Sequence, residues 1–444
     1  MAEIHPFRAV RYDPRRVSPA QVATQPYDKI TPALQGRYYA ASPYNLVRII
    51  LGRRQEIDSP EDNVYSRAAA YFRDWRQQGI LRQDSLPSLY VYSQRFTLPD
   101  SAQEGSTTKL ERRGFIALGR LEDYSAGIVF RHEQTLAKPK ADRLDLLRAT
   151  HAHFGQIFML YEDSGQVESR LSTDASPDIE ITDEYGVDHR VWQISDARLI
   201  DWVKSAMANK KLIIADGHHR YETALTYRDE CRAAATFSTK RSSTSPSEFV
   251  MMTFVNMNSL ALLILPTHRV VHGLASFSVE TFRNSARAFF DLEEVEATLD
   301  ASRAGAILRE SGGGGTSILA VTANRAYLLH HPDHNAAAQV FGGLSLRQQA
   351  LDVVQLHKCL LEKVLNLSEE SIRNQQNISY VRDAEEALSQ VRGPSGTRAN
   401  VAFLMNPCRV TQVRDIAFAG EVMPQKSTDF YPKLLSGLTI YALD

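Results

Sequence analysis

Cysteine is scarce. Cys231, Cys359 and Cys408 are the three in 444 residues, and their odd number and wide spacing make neither a disulfide framework nor a zinc signature. A reducing, cytoplasmic setting is expected. An excess of one charge is also missing. The chain has 51 Lys and Arg against 52 Asp and Glu, a formal net charge of −1. No global field therefore draws it to nucleic acid or to a membrane surface, and a polyanion would need a local patch. No apolar run approaches the ~20 residues of a membrane span. The opening Met1 to Pro6 shows no basic stretch leading into an apolar one, so no secretory signal is expected. Gly-x-Gly-x-x-Gly and Walker A patterns are absent, which excludes the usual Rossmann and P-loop nucleotide sites. A Gly-x-Ser-x-Gly elbow is absent too. Arg131-His132-Glu133-Gln134-Thr135 lacks the second histidine of a His-Glu-x-x-His zinc helix.

What is present is an ordinary globular composition, 43% hydrophobic and 23% charged, long enough for two or three domains. One stretch organises it. Leu212-Ile213-Ile214-Ala215 has the length and β-branched content of a buried strand. Asp216-Gly217 breaks the run, and from Tyr221 the residues favour a helix ending near Arg232. A strand thus feeds through a tight turn into a helix start, with Asp216, His218, His219 and Arg220 gathered there. Free N–H groups and the positive dipole end suit a phosphate or carboxylate at such a place. Gly217 lets the backbone come close, Arg220 could grip the anion bidentately, and His218 or His219 could carry a proton near neutral pH. The plainer reading is that Asp216 only caps the helix, but capping alone leaves two adjacent histidines followed by arginine unexplained.

A second dense stretch runs from Phe130 to Leu144. His132, Glu133 and Thr135 precede a helix expected to start near Lys140, and Lys138, Lys140, Arg143 and Arg148 form a local basic cluster. His268 and Arg269, after a strand expected at Leu260 to Leu265, could join an anion site. Glu133 or Asp216 could hold Mg²⁺ together with a phosphate. Gln25-Pro26-Tyr27-Asp28 sets a tyrosine and polar groups on a rigid turn, which by residue type alone fits packing over a core edge.

The rest reads as a mixed α/β, α+β chain. Val64, Ala68, Tyr71, Phe72 and Trp75 recur at helical spacing within residues 60 to 78, with Ser59 as expected N-cap, Pro60 at the first position and Gly79 as the stop. Residues 88 to 98 and 112 to 121 read as paired strands around a polar insert, Asp100 to Lys109. Further strands are expected at Gly155 to Tyr161, Arg190 to Ile194 and Phe249 to Met257, a helix at Ala197 to Met207, and one long helix at Leu346 to Leu365. A serine-rich stretch suggests residues 1–235 as an N-terminal domain, 236–248 as a linker or loop and 249–444 as a C-terminal α+β domain.

Asp216 to Ala224, Lys138 to Arg143, Pro266 to Arg269 and Met423 to Thr428 together resemble the signature blocks of an uncharacterised bacterial and archaeal family, domain of unknown function 1015, over essentially the whole chain. The strand, the Asp-Gly-His-His-Arg turn and the helix are also similar to the phosphate-binding turn of the ParB/sulfiredoxin superfamily, with Gly217 and Arg220 matching its Gly-x-x-Arg spacing. That resemblance implies a ParB/sulfiredoxin-like N-terminal portion. His218 and His219 stand where sulfiredoxin needs a cysteine, which argues against sulfinic acid reduction. The near-neutral charge argues against a DNA-binding partition protein. The branch left is that of free serine kinases. It implies phosphoryl transfer on a small hydroxylated metabolite, serine or phosphoserine first, with ATP or ADP and Mg²⁺ as cofactors.

The expectation is therefore a cytoplasmic phosphotransferase or phosphatase. Gly217, Arg220, Lys138, Lys140 and Arg143 would bind phosphate and neutralise its charge. His218, His219 or Glu133 would relay a proton, Asp216 would orient a histidine or the metal, and Lys426, Ser427 and Thr428 would close the site. Partners would be a phosphorylated small molecule or a nucleotide, with neither nucleic acid nor membrane. A non-enzymatic nucleotide-binding regulatory protein and a metal-dependent hydrolase are the alternatives.

Overall fold

Leu212–Asp216 is a strand, as its apolar run predicts, and it lies near one edge of a nine-stranded mixed sheet. The sheet order is Val129–Phe130, Leu212–Asp216, Ile157–Tyr161, Phe249–Asn256, Lys109–Arg120, Leu89–Thr97, Asp188–Ile194 and Ile179–Thr182, with Ile4–His5 also paired to Lys109–Arg120. The computed structural model describes residues 2–99, 108–134, 137–235, 245–313, 315–394 and 398–444, with backbone alone for 137–139 and 334–337. Thr135, most of the polar insert, residues 236–244 of the serine-rich stretch and the side chain of Lys138 lie outside what is described.

Side chains alternate across this sheet with the period of two that a pleat imposes. Ile213, Ala215, Phe158, Leu160, Met251 and Val255 face one core. Leu212, Ile214, Ile157, Met159, Val250 and Phe254 face the other, under the helix Ala197–Met207. Both faces are covered, which is why these strands read as continuous apolar runs.

A second sheet is six-stranded and antiparallel throughout: Asp291–Val295, Ala326–His330, Ser317–Val321, Val401–Met405, His268–Val271 and Ile378–Val381. Its Val271, Ile318, Val401 and Phe403 join the same buried cluster as Ile213 and Phe158, so one apolar core runs between the two sheets. The tail then returns. Met423 bridges to Glu133, Asp429–Tyr431 pairs with Leu263–Leu265, Ser436 with Thr24, Ile440 with Val10, and Tyr441–Ala442 with Ala152–His153. The fold is mixed α and β, as expected, and no described helix is long and apolar enough to cross a membrane.

Several elements differ from expectation. Phe249–Asn256, expected to open the second domain, is a central strand of the first sheet, hydrogen-bonded to both Lys109–Arg120 and Ile157–Tyr161. Composition marks where a chain loosens, not which sheet the next strand joins. The first long helix spans Val64–Gln77 and is capped by Asn63, whose side chain accepts from Tyr65 N and Ser66 N, so Ser59 and Pro60 lie before it. Gly79 stops it at φ +69°. The long helix expected at Leu346 to Leu365 is broken. Leu351 is extended between two short turns, and Leu356–Val364 winds as a π-helix.

A candidate anion-binding site at the strand–helix turn

The helix after the turn spans His218–Ala235, three residues earlier than its best helix formers suggest. His218, His219 and Arg220 therefore occupy its first turn, where N–H groups have no intrahelical acceptor. Gly217 makes the bend at φ +95°. A Cβ there would sit 3.1 to 3.2 Å from the Arg220 guanidinium, so an L side chain would suffer both strain and crowding.

This turn forms one wall of a cavity of about 580 Å³. The N-terminal Gln25 to Lys29 segment, Glu133, the Ile378–Val381 strand with Arg382, and the tail from Lys426 to Lys433 supply the others. The charged groups form a chain. Arg220 donates to Asp216 at 2.6 Å and to the Gln156 carbonyl. Lys433 lies 3.4 Å from the other Asp216 oxygen and 3.0 Å from Asp429. Asp429 also receives Arg382 at 2.6 Å and faces Lys29 at 3.7 Å. Asp216 thus binds side chains and not the helix end, against the plainer sequence reading.

Burial alone would raise both carboxyls, but cations outweigh it. Lys433, Arg220 and Lys29 hold Asp216 well below the usual carboxylate range, and Lys433, Lys29 and Arg382 do the same for Asp429. Burial pulls the Lys433 ammonium down and the two aspartates more than reverse it, so it stays charged. Lys29 is lowered, by burial first and then by Lys433 beside it.

Burial raises Glu133, against the opposing hydrogen bond from Lys426 N at 2.6 Å. His218, 8% exposed, is pushed well below 6.5 by burial and then by His132, so its imidazole is neutral, and its Nε2 has no partner. His219 is lowered, mainly by burial. Neither histidine is held protonated at neutral pH, so any proton work starts from the neutral ring. His132 is fully buried behind the cavity, its ring centroid 4.8 Å from that of His218. Its Nδ1 pairs with the Ile214 carbonyl and its Nε2 with Thr428 Oγ1, both at 2.8 Å.

Eight of the residues expected from sequence line the cavity: Glu133, Asp216, Gly217, His218, His219, Arg220, Lys426 and Thr428. Others do not. Lys140 pairs with Glu222 at 2.9 Å. Arg143 donates to the Ile50 carbonyl at 2.7 Å, grips Asp142, and lies over the Tyr27 ring. Neither lines the cavity, and local partners hold both. His268 is spent accepting from Met405 N, Arg269 donates to the Lys426 and Thr267 carbonyls, and Ser427 donates to the Pro424 carbonyl. Sequence reasoning missed Asp28, Lys29, Arg382, Asp429 and Lys433. Asp28 lies in the proline turn noted from sequence and Asp429 and Lys433 in the polar, proline-pinned tail from Gly420 to Lys433, but nothing local shows that these segments meet Lys29 and Arg382 by tertiary folding. Among the described residues, no group of three or more His, Cys, Asp or Glu side chains is placed to hold a metal ion.

The family model "Protein of unknown function (DUF1015)" matches residues 4–354, and the chain belongs to that family. The match stops short of the Met423 to Thr428 block. Nothing among curated proteins matches. Solved structures similar to this one include a conserved hypothetical protein from Pyrococcus furiosus, at 12% identity and TM-score 0.33 over 68% of this chain and 87% of that one. A free serine kinase in complex with AMP has 13% identity and TM-score 0.34 over 68% and 83%. SbnI with C-terminal truncation from Staphylococcus aureus has 11% identity and TM-score 0.34 over 72% and 85%. These superpositions are too loose to transfer a ligand or a reaction.

Proposed function

We propose that this DUF1015 protein binds a phosphorylated small metabolite or nucleotide in the cavity at the strand–helix turn and transfers the phosphoryl group to or from a hydroxyl. One observation carries the reading. Lys29, Arg382, Lys426 and Lys433, from three separate segments, converge on a cavity whose opposite wall is a helix N-terminus. Lys29, Arg382 and Lys433 already face Asp216 and Asp429, so a phosphate oxygen would share these cations with the two carboxylates. Asp216 and Asp429 are ion-paired, Asp183 accepts from Gln25, His189 and two backbone N–H groups, and Glu133 accepts from Lys426 N. The Lys426 ammonium has no ion-pair partner among the described residues.

Phosphoryl transfer depends mainly on positioning and on fixed positive charge. Lys433, Lys29, Arg382 and the N–H groups of the first helical turn would hold the phosphate oxygens. The acceptor hydroxyl attacks phosphorus, the bond to the leaving phosphate oxygen breaks, and the hydroxyl proton passes to Glu133 or to neutral His218. A nucleotide-borne Mg²⁺ would meet Asp28, whose carboxylate lines the cavity without an ion-pair partner among the described residues. Serine and phosphoserine are the first metabolites to test. Turnover is read by phosphorus NMR with ATP or ADP against a panel of small hydroxylated acceptors, wild type beside Lys433→Met. Product formation abolished by the variant is expected. No product from the wild type with any pair, or equal rates in the variant, overturns the assignment.

A further inference from the structure

A second cavity, of about 1140 Å³, lies at the end of the six-stranded sheet where Val401–Met405 runs out. One wall is the helix Ala301–Gly312, presenting Ala301, Ala304, Gly305 and Leu308, and apolar groups from Ile264, Leu351, Leu404 and Met405 make up the floor. Three guanidiniums line it: Arg269, Arg309 and Arg409.

The charges there are not balanced pair by pair. Asp300 and Asp383 are committed to helix caps, accepting from Arg303 N at 2.8 Å and Glu385 N at 2.7 Å, and Glu385 accepts from Ala301 N at 3.3 Å. Arg309 and Arg409 form no ion pair among the described residues. Arg269 is 2% exposed, its Nη groups donate only to carbonyls and to the Met405 sulfur, and its Nε has no partner. Glu133 acts on it from a distance, but no carboxylate of the described residues is within ion-pair reach, and a buried guanidinium without such a partner is costly unless something anionic completes it.

We infer that this second cavity is a binding site for an amphipathic organic anion, whose carboxylate or phosphate head meets Arg309, Arg409 and Arg269 and whose apolar body lies along the Ala301–Gly312 wall. The volume exceeds what one inorganic ion would fill and suits a ligand of small-molecule size or larger. Burial pushes the Asp352 carboxyl up to about 6, against hydrogen bonds from Ser317 N and Thr316 and the charge of Arg409, so at neutral pH it is ionised and offsets part of the Arg409 charge, leaving chiefly Arg309 and Arg269 to meet the anion. The inference does not rest on the phosphoryl-transfer reading: its three arginines line the second cavity and not the first, though Arg269 also donates to the Lys426 and Thr267 carbonyls that back the first cavity.

The probe is 8-anilinonaphthalene-1-sulfonate, an aromatic anion, titrated by fluorescence into the full chain. Octanoate, octyl phosphate and octanol then serve as competitors. Saturable binding displaced by octanoate or by octyl phosphate, and not by octanol, is expected, and the better competitor identifies the head group. The double variant Arg309→Ala/Arg409→Ala changes only two exposed side chains and should bind the probe about tenfold more weakly, with its circular dichroism melt unchanged. Lys433→Met should bind as the wild type does. Unaltered affinity in the double variant, displacement by octanol as effective as by the anions, or loss of binding in Lys433→Met overturns the inference.

Discussion

At the residue scale, a few side chains have their chemistry set by their neighbours. Gly217 is one. Its φ of +95° and the 3.1 Å that would separate an added Cβ from Arg220 predict that Gly217→Ala lowers stability by about 1–3 kcal/mol and weakens phosphate-ligand binding, because the guanidinium must move. Chemical denaturation and calorimetry on the same variant check both. His132 is another. Burial lowers it to about 4 in the folded state from an ordinary 6.5, so the unfolded chain takes up its proton first as pH falls. The stabilisation is fully present above pH 6.5 and is lost between about 6.5 and 4. Its size is about 3 kcal/mol for a group so fully buried. Urea midpoints should fall over that window in the wild type and fall less in His132→Gln. Equal slopes would contradict the assignment. The strand–turn–helix residues were legible because one local sequence holds them. Lys433 and Arg382 were not, because nothing within ten residues of either shows that a distant aspartate waits for it.

At the scale of elements, periodicity located most strands and helices, and local hydrogen bonding fixed where they stop. Ser59-Pro60 looks like a helix start, but Asn63 reaches two N–H groups while Ser66 returns a bond to its backbone. Asn63→Ala should therefore cost about 1 kcal/mol, measured as a shift in the urea midpoint, while Ser59→Ala should cost much less. The loop that carries Lys433 is held from below by Arg112, a 1% exposed guanidinium on the strand Lys109–Arg120. It donates to the carbonyls of Tyr431 and Pro432 and to Gln94, which in turn bonds the Lys433 carbonyl at 2.8 Å. Arg112→Met leaves those acceptors unmet. The expected outcome is a loss of about 2–4 kcal/mol in stability, with weakened binding in the fraction that folds. The broken helix at Leu346 to Leu365 was illegible for a different reason. Its apolar pattern continues through the break, and Val353, Leu356 and Leu360 on either side of it are all buried in the core, so the pattern alone does not show the change of winding.

At the scale of the molecule, two sheets share one apolar core and a tail that crosses from one to the other. A serine-rich stretch suggests a division of the chain, whereas Phe249–Asn256 joins the first sheet and the tail pairs with Ala152–His153, Val10 and Thr24 from the N-terminal half. Such interleaving predicts a single calorimetric transition for the whole chain, and two well-separated transitions would contradict it. The same interleaving builds the candidate site, because Lys29, Asp216, Arg382 and Lys433 come from segments far apart in sequence and meet only when both sheets are in place. The most direct test of that convergence is isothermal titration calorimetry of ADP and of phosphoserine into the wild type and Lys433→Met. The account predicts binding of at least one of these ligands by the wild type and an affinity about tenfold or more weaker in the variant. No binding by the wild type, or equal affinity in the two proteins, would contradict it.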